Sequence, residues 1–101
     1  MKKQNNLDFL EELYFIIKNR AKFKKKNSYT HLLLKKGKNK IAQKIGEEST
    51  ELIIDYLNGS KKRTVEEASD LIYHLLVLLY SKKISIKDIK KELTKRKNVR
   101  R

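Results

Sequence analysis

Apolar residues recur every three or four positions along this chain, in blocks separated by polar and basic stretches, and nowhere alternate in the two-residue rhythm of a strand. Leu10, Leu13, Tyr14 and Ile17 predict a first helix over about 7–20. Lys22 to Lys26 reads as a basic connector. Ser28 can cap a short helix through Leu32, Leu33 and Leu34, with Gly37 as its stop. Ile41, Ile45, Leu52 and Tyr56 share one stripe of a long helix, about 39–57, which Asn58 and Gly59 end. Thr64-Val65-Glu66-Glu67 has the form of a capping box, a hydroxyl followed three residues on by a carboxylate, and opens a helix over about 65–81. From Leu71 onward that helix is apolar on nearly every side, the pattern of a helix buried all round inside a bundle or at a subunit interface. Ser85-Ile86-Lys87-Asp88 opens a last helix with Ile86, Ile89 and Leu93 on one face, and the basic tail from Lys95 to Arg101 is expected to fray. The expected fold is all-α, a bundle of about four to five helices in a single domain over 1–101, with its core at about 7–96.

Composition narrows this picture. A chain of 101 residues suits one domain, and its core is thin enough that burial against a second copy is expected. Proline is absent and glycine occurs only three times, in keeping with a helical protein. The absence of cysteine excludes disulfides and thiolate metal sites and suits a reducing cytosol. No apolar run approaches the roughly 18–20 residues of a membrane span, Leu75 to Tyr80 being the longest, and Met1 to Asn6 lacks the apolar stretch of a signal peptide. A cytoplasmic protein without membrane contact is the expectation. The net charge of +14 pulls toward nucleic acid or another polyanion. Lys and Arg run through every segment, however, alongside abundant Asn and Ile, which favours general compositional drift over a dedicated basic surface. Nucleic acid is therefore not a required partner, and a basic helical nucleic-acid-binding protein is the lesser alternative.

The acids change the picture more. Glu47, Glu48, Glu51, Asp55, Glu66, Glu67 and Asp70 fall on two successive helices, although acids number only 12 against 26 bases. Glu48 and Glu51 are three apart and share a helix face; Glu67 and Asp70 repeat the spacing. Glu48 follows Ile41 and Ile45 on the apolar stripe, and Glu67 is continued at helical steps by Leu71, His74 and Leu78, so carboxylates occupy positions that periodicity assigns to core. Such groups are costly out of water unless paired, protonated or bound to a cation. Lys or Arg could pair with them, Glu67 could be half of a capping box, and Glu47 could be a solvated neighbour of Lys44. Asp55 reads as an ordinary surface residue. Taken together, two i,i+3 carboxylate pairs on helices joined by a short turn favour one oxygen-lined pocket for a hard cation such as Mg²⁺. Gly46 inside the helix marks a close approach of another backbone or a ligand, and Lys35, Lys36, Lys40 and Lys44 are candidates to meet phosphate oxygens.

These residues resemble a known family. Glu47-Glu48-Ser49-Thr50-Glu51 followed by Glu67-Ala68-Ser69-Asp70 is similar to the EExxE…ExxD signature of the all-α nucleoside-triphosphate pyrophosphohydrolases, the MazG-type superfamily. Ser28-Tyr29-Thr30 with Leu33 and Leu34, the run Lys36-Gly37, Lys40-Ile41 and Lys44 to Glu48, and Glu66 to Leu79 resemble the phosphoribosyl-ATP pyrophosphohydrolases within it, over roughly residues 7–96. The resemblance implies a homodimeric helical bundle that uses Mg²⁺ to cleave phosphoribosyl-ATP to phosphoribosyl-AMP and pyrophosphate, the second step of histidine synthesis. It carries Glu48, Glu51, Glu67 and Asp70 over as metal ligands and Glu47 as a further carboxylate near the metal or its water. Glu47 and Glu48 are thus the catalytic candidates. Ser28, Tyr29, Thr30, Lys36, Lys40 and Lys44 carry over as substrate contacts; Tyr73 and His74 belong to the same signature, His74 as a further substrate contact or a satisfied core histidine. Some family members are fused to the cyclohydrolase of the following step, for which this chain has neither the length nor the Cys and His content, so one reaction is expected. The remaining alternative within the class is another nucleoside triphosphate as substrate.

Overall fold

The computed structural model describes residues 6–22 and 28–99. Five helices follow in order: α1 Asn6–Lys22, α2 Tyr29–Lys36, α3 Lys38–Asn58, α4 Lys61–Ser81 and α5 Ile86–Val99. No strand occurs among the described residues, as the periodicity predicts. Most of the expected basic connector, 23–26, lies outside the described residues; Lys22 ends α1. The expected frayed tail is helical as far as Val99, and residues 100–101 lie outside the described residues.

Local chemistry accounts for most of the boundaries. The Ser28 hydroxyl accepts from His31 N–H at 3.2 Å and starts α2. Gly37 stops it at φ 98°, where its N–H donates to the Leu33 and Leu34 carbonyls; this left-handed conformation favours glycine. Ser85 and Asp88 form a reciprocal capping box at α5, Asp88 N–H donating to Ser85 Oγ at 3.2 Å and Ser85 N–H to Asp88 Oδ2 at 2.9 Å.

The start of α4 differs from the sequence expectation. Its cap is Ser60, whose hydroxyl accepts from Arg63 N–H at 3.1 Å, and the helix begins at Lys61. Thr64 is not a cap: its hydroxyl sits one turn inside and donates back to the Ser60 and Asp55 carbonyls at 2.9 and 3.2 Å. The cause is the tightness of the turn. A Cβ at Gly59 would stand 2.7 Å from Asp55 Oδ1 and 3.0 Å from the Asp55 backbone, so any other residue here would force Asp55 to shift, and glycine favours this early turn. Glu67 therefore lies in the second turn of α4, with no capping role.

This two-residue turn makes α3 and α4 the dominant helix pair. Around it the core takes Ile17 from α1, Leu33 from α2, Ile41 from α3, Leu76, Val77 and Leu79 from α4, and Ile86 from α5. Burial of each such side chain contributes about 1.5–3 kcal/mol. The Tyr14 hydroxyl donates to the Ile84 carbonyl at 2.6 Å and ties α1 to the α4–α5 loop.

One further expectation is corrected and another is narrowed. Tyr56 is 74% exposed, because stepping by fours carries the stripe round the helix, about 60° by Tyr56. Within one chain α4 is not covered all round: Ile72 and Leu75 are 45% and 42% exposed.

Candidate active site

Glu48 continues the Ile41 stripe into the space between α3 and α4 and is buried; Glu67 on α4 is buried opposite it. Oxygen atoms of Glu48, Glu67 and Asp70 all lie within 4.8 Å of one another. Glu51 is exposed, and its carboxyl lies near enough to Glu67 to feel its charge. Three of the four ligands suggested by the resemblance thus gather tightly, and the fourth adjoins them through Glu67.

The two buried acids are satisfied unequally. Glu48 Oε2 lies 3.8 Å from Lys44 Nζ, and Glu67 Oε2 accepts from Arg63 Nη2 at 2.8 Å. The other oxygen of each, Glu48 Oε1 and Glu67 Oε1, is buried and receives no hydrogen bond among the described residues. An orphaned buried carboxylate oxygen is costly. Burial, with repulsion from Asp70 and Glu67, pushes the Glu48 carboxyl above the ordinary range, partly offset by His74 and Lys44. The hydrogen bond and charge of Glu67 push Glu51 up as well. Two partnerless oxygens close to a third carboxylate fit a divalent cation, and an all-oxygen donor set suits a hard one.

Glu47 behaves differently. It is exposed, accepts from Gln43 Nε2 at 2.9 Å and lies 3.8 Å from Lys44 Nζ. The Gln43 hydrogen bond, then Lys44 and Lys40, hold its carboxyl below the ordinary range. Lys40 and Lys44 are half-buried on this side of α3, whereas Lys36 is exposed at the end of α2. Gly46 has open space where a Cβ would stand, so the close approach expected of it comes from none of the other described residues.

The α2 residues meet α4. His74 Nδ1 lies 2.9 Å from the Asp70 carbonyl and Nε2 lies 2.7 Å from the Tyr29 hydroxyl. A carbonyl only accepts, so we assign the ring hydrogen to Nδ1, and the Tyr29 hydroxyl donates to Nε2. Thr30 is fully buried, with its hydroxyl hydrogen-bonded to that of Tyr73. Burial raises the Tyr73 phenol above its ordinary value, and Arg20 partly opposes the shift. Ser28 is occupied in capping α2. Tyr29, about half exposed, is the member of this trio with most surface to offer a ligand.

Arg63 was not singled out by sequence reasoning. It donates to Glu66 at 2.7 Å and to Glu67 at 2.8 Å and lies 3.7 Å from Asp55, so Asp55 is more than surface decoration. Its i,i+3 and i,i+4 spacing to Glu66 and Glu67 was the available signal.

An all-helical bundle with buried acids from two adjoining helices is the arrangement that the resemblance to the all-α pyrophosphohydrolases implies. The family model for phosphoribosyl-ATP pyrophosphohydrolase matches residues 10–97. A phosphoribosyl-ATP pyrophosphatase of Sulfolobus acidocaldarius is 53% identical over 87 residues, covering 86% of this chain and 92% of that protein. One of Clostridium novyi is 45% identical over 93 residues, 92% of this chain and 84% of its own length. A histidine biosynthesis bifunctional protein HisIE of Caldanaerobacter subterraneus is 46% identical over 93 residues, which make up 45% of that longer protein. The chain belongs to the phosphoribosyl-ATP pyrophosphohydrolase family.

Proposed function

We propose that this chain hydrolyses phosphoribosyl-ATP to phosphoribosyl-AMP and pyrophosphate, the second step of histidine synthesis, with Mg²⁺ held by Glu48, Glu67 and Asp70 and, beside them, Glu51. The observation that carries the metal reading is the pair of buried, partnerless oxygens on Glu48 and Glu67 within reach of Asp70. The substrate rests on the family and on the names of the relatives. When bound, Mg²⁺ would neutralise phosphate charge and make a water more acidic.

The chain's own groups do the rest. Lys40 and Lys44, on the first half of α3, meet phosphate oxygens and offset their charge. Glu47, held ionised, accepts a proton from water attacking between the α and β phosphates, and pyrophosphate leaves. The hydrogen bond from Tyr29 to His74, and that from His74 to the Asp70 carbonyl, couple α2 to the acidic face of α4 and orient the Tyr29 ring toward substrate.

The working unit in this reading is a homodimer. Ile53, Leu57, Ile72 and Leu75, on the two helices that carry the acids, are 58%, 67%, 45% and 42% exposed, and a second copy of this chain would cover them. Sedimentation equilibrium is expected to give about twice the 12.0 kDa chain mass, and Ile72→Glu to lower it; a wild-type monomer removes the dimer from this reading.

The activity is tested by incubating the purified protein with phosphoribosyl-ATP, or with a panel of ordinary nucleoside triphosphates, in Mg²⁺ or EDTA, and measuring pyrophosphate. We expect release from phosphoribosyl-ATP in Mg²⁺ alone. Preferential release from another triphosphate would reassign the substrate, and release undiminished by EDTA would remove the metal.

A further inference from the structure

Glu67 belongs to the carboxylate cluster with Glu48 and Asp70, and Arg63 holds one of its two oxygens. Arg63 Nη2 donates to Glu67 Oε2 at 2.8 Å, and Glu67 Oε1 is the atom left buried without a partner. The guanidinium is itself fixed from two other directions: Nη1 donates to Glu66 at 2.7 Å, and Nη2 lies 3.7 Å from Asp55 Oδ2 on α3. Asp55 is anchored in turn, since its carbonyl accepts from Thr64 Oγ1 at 3.2 Å and from Gly59 N–H at 2.8 Å. Arg63 thus ties the end of α3 to the start of α4 while holding one oxygen of a buried acid.

We propose that Arg63 is a positioning residue for the metal site: by occupying Glu67 Oε2 it fixes the carboxylate plane so that Oε1 is presented to the cation shared with Glu48 and Asp70. This inference rests on the metal reading above. Groups that hold the free atom of a ligating side chain typically change metal affinity about 10–100-fold when removed. The planar guanidinium suits the task because its donors leave at fixed angles and can take Glu66 and Glu67 together, which a single ammonium holds less well.

The sign of the effect separates positioning from simple electrostatics. Arg63 is a cation beside a site for a cation, so Coulomb repulsion alone makes the site bind more tightly once its charge is gone. Positioning requires the reverse. Exposure of slightly over half of the Arg63 side chain weakens its charge effect through solvent screening and leaves the geometric role dominant.

The test is Mn²⁺ binding, followed by loss of the free-ion signal in electron paramagnetic resonance, on the full chain as wild type, Glu67→Gln, Arg63→Gln and Arg63→Lys. Circular dichroism of the metal-free proteins accompanies each titration. Wild type is expected to bind and Glu67→Gln to lose at least about 10-fold in affinity. Arg63→Gln is expected to bind at least about 10-fold more weakly while remaining helical, and Arg63→Lys to fall between it and wild type. Should Arg63→Gln not fold, Arg63→Lys carries the test, with weakening of a few-fold expected. If wild type binds no Mn²⁺, or Glu67→Gln binds as well as wild type, the metal site and the role of Arg63 fall together. If those two behave as expected and the Arg63 variant binds as tightly as wild type or more tightly, the role of Arg63 alone is overturned. A purely structural contribution would lower the melting temperature of the metal-free variant without changing the Mn²⁺ affinity of its folded fraction, and that result also overturns it.

Discussion

Two Arg–Glu pairs at i,i+4 spacing lie on this chain, one in the α3–α4 hairpin and one on α5. Arg63 meets Glu67 at 2.8 Å, and Arg96 meets Glu92 at 3.0 Å, so the contacts are chemically alike. Their surroundings are not. Both partners on α5 are about half exposed, where such a pair is worth about 0.3–0.5 kcal/mol. Glu67 has a side chain only 6% exposed and gathers with Glu48 and Asp70, and its second oxygen is buried with no donor among the described residues. What separates a candidate site from a solvated helix face is therefore the oxygen left over after the ion pair has formed. On α5 that oxygen is open to solvent; in the hairpin it is buried without a donor among the described residues.

The largest expected consequence of this difference is in activity. Glu67→Gln is expected to cut Mg²⁺-dependent pyrophosphate release by more than about 100-fold, whereas Glu92→Gln leaves it unchanged; initial rates with phosphoribosyl-ATP read both. Stability should follow the same division. Mg²⁺ at about 100 times its dissociation constant adds about 2.7 kcal/mol to unfolding, read from denaturant midpoints. The gain should persist in Glu92→Gln and, at the same Mg²⁺ concentration, fall by about half or more in Glu67→Gln, to no more than about 1.4 kcal/mol for a 10-fold loss of affinity.

A smaller effect is a sign in the pH dependence of the metal-free protein. The Glu48 carboxyl is raised above the ordinary 4.5, chiefly by burial, so above that value the native state holds more protons than the unfolded state. Stability therefore falls as pH rises from about 4.5 through the raised value, the reverse of an ordinary paired acid such as Glu47. Subtracting the curve of Glu48→Gln from that of wild type isolates the contribution, and a difference that rises with pH contradicts it. Last, Glu92→Ala should change unfolding free energy by no more than about 0.5 kcal/mol by thermal or urea denaturation.

The helices were legible because a three-to-four residue rhythm survives even in so basic a chain, and Gly37 and the Ser85–Asp88 box mark their own places. The start of α4 was not, since Ser60 and Thr64 both offer a hydroxyl and the choice depends on how closely Gly59 approaches Asp55. Glu48 could be found because it interrupts an apolar stripe, and the structure buries it. Arg63 could not, being one of 26 basic residues with only its spacing to recommend it. The contact between Tyr29 and His74 spans 45 residues, so the resemblance grouped the two residues but local pattern could not pair them. The solvent-facing Ile72 and Leu75 were hidden for another reason, because an apolar helix reads alike whether its own chain or a second copy covers it.

The most direct measurement is an anomalous-difference map from crystals grown with Mn²⁺ and collected at the manganese edge. We expect a peak bonded to Glu48, Glu67 and Asp70 oxygens between α3 and α4. Crystals that bind Mn²⁺ elsewhere and leave those three carboxylates without it would contradict a shared cation at the heart of this site.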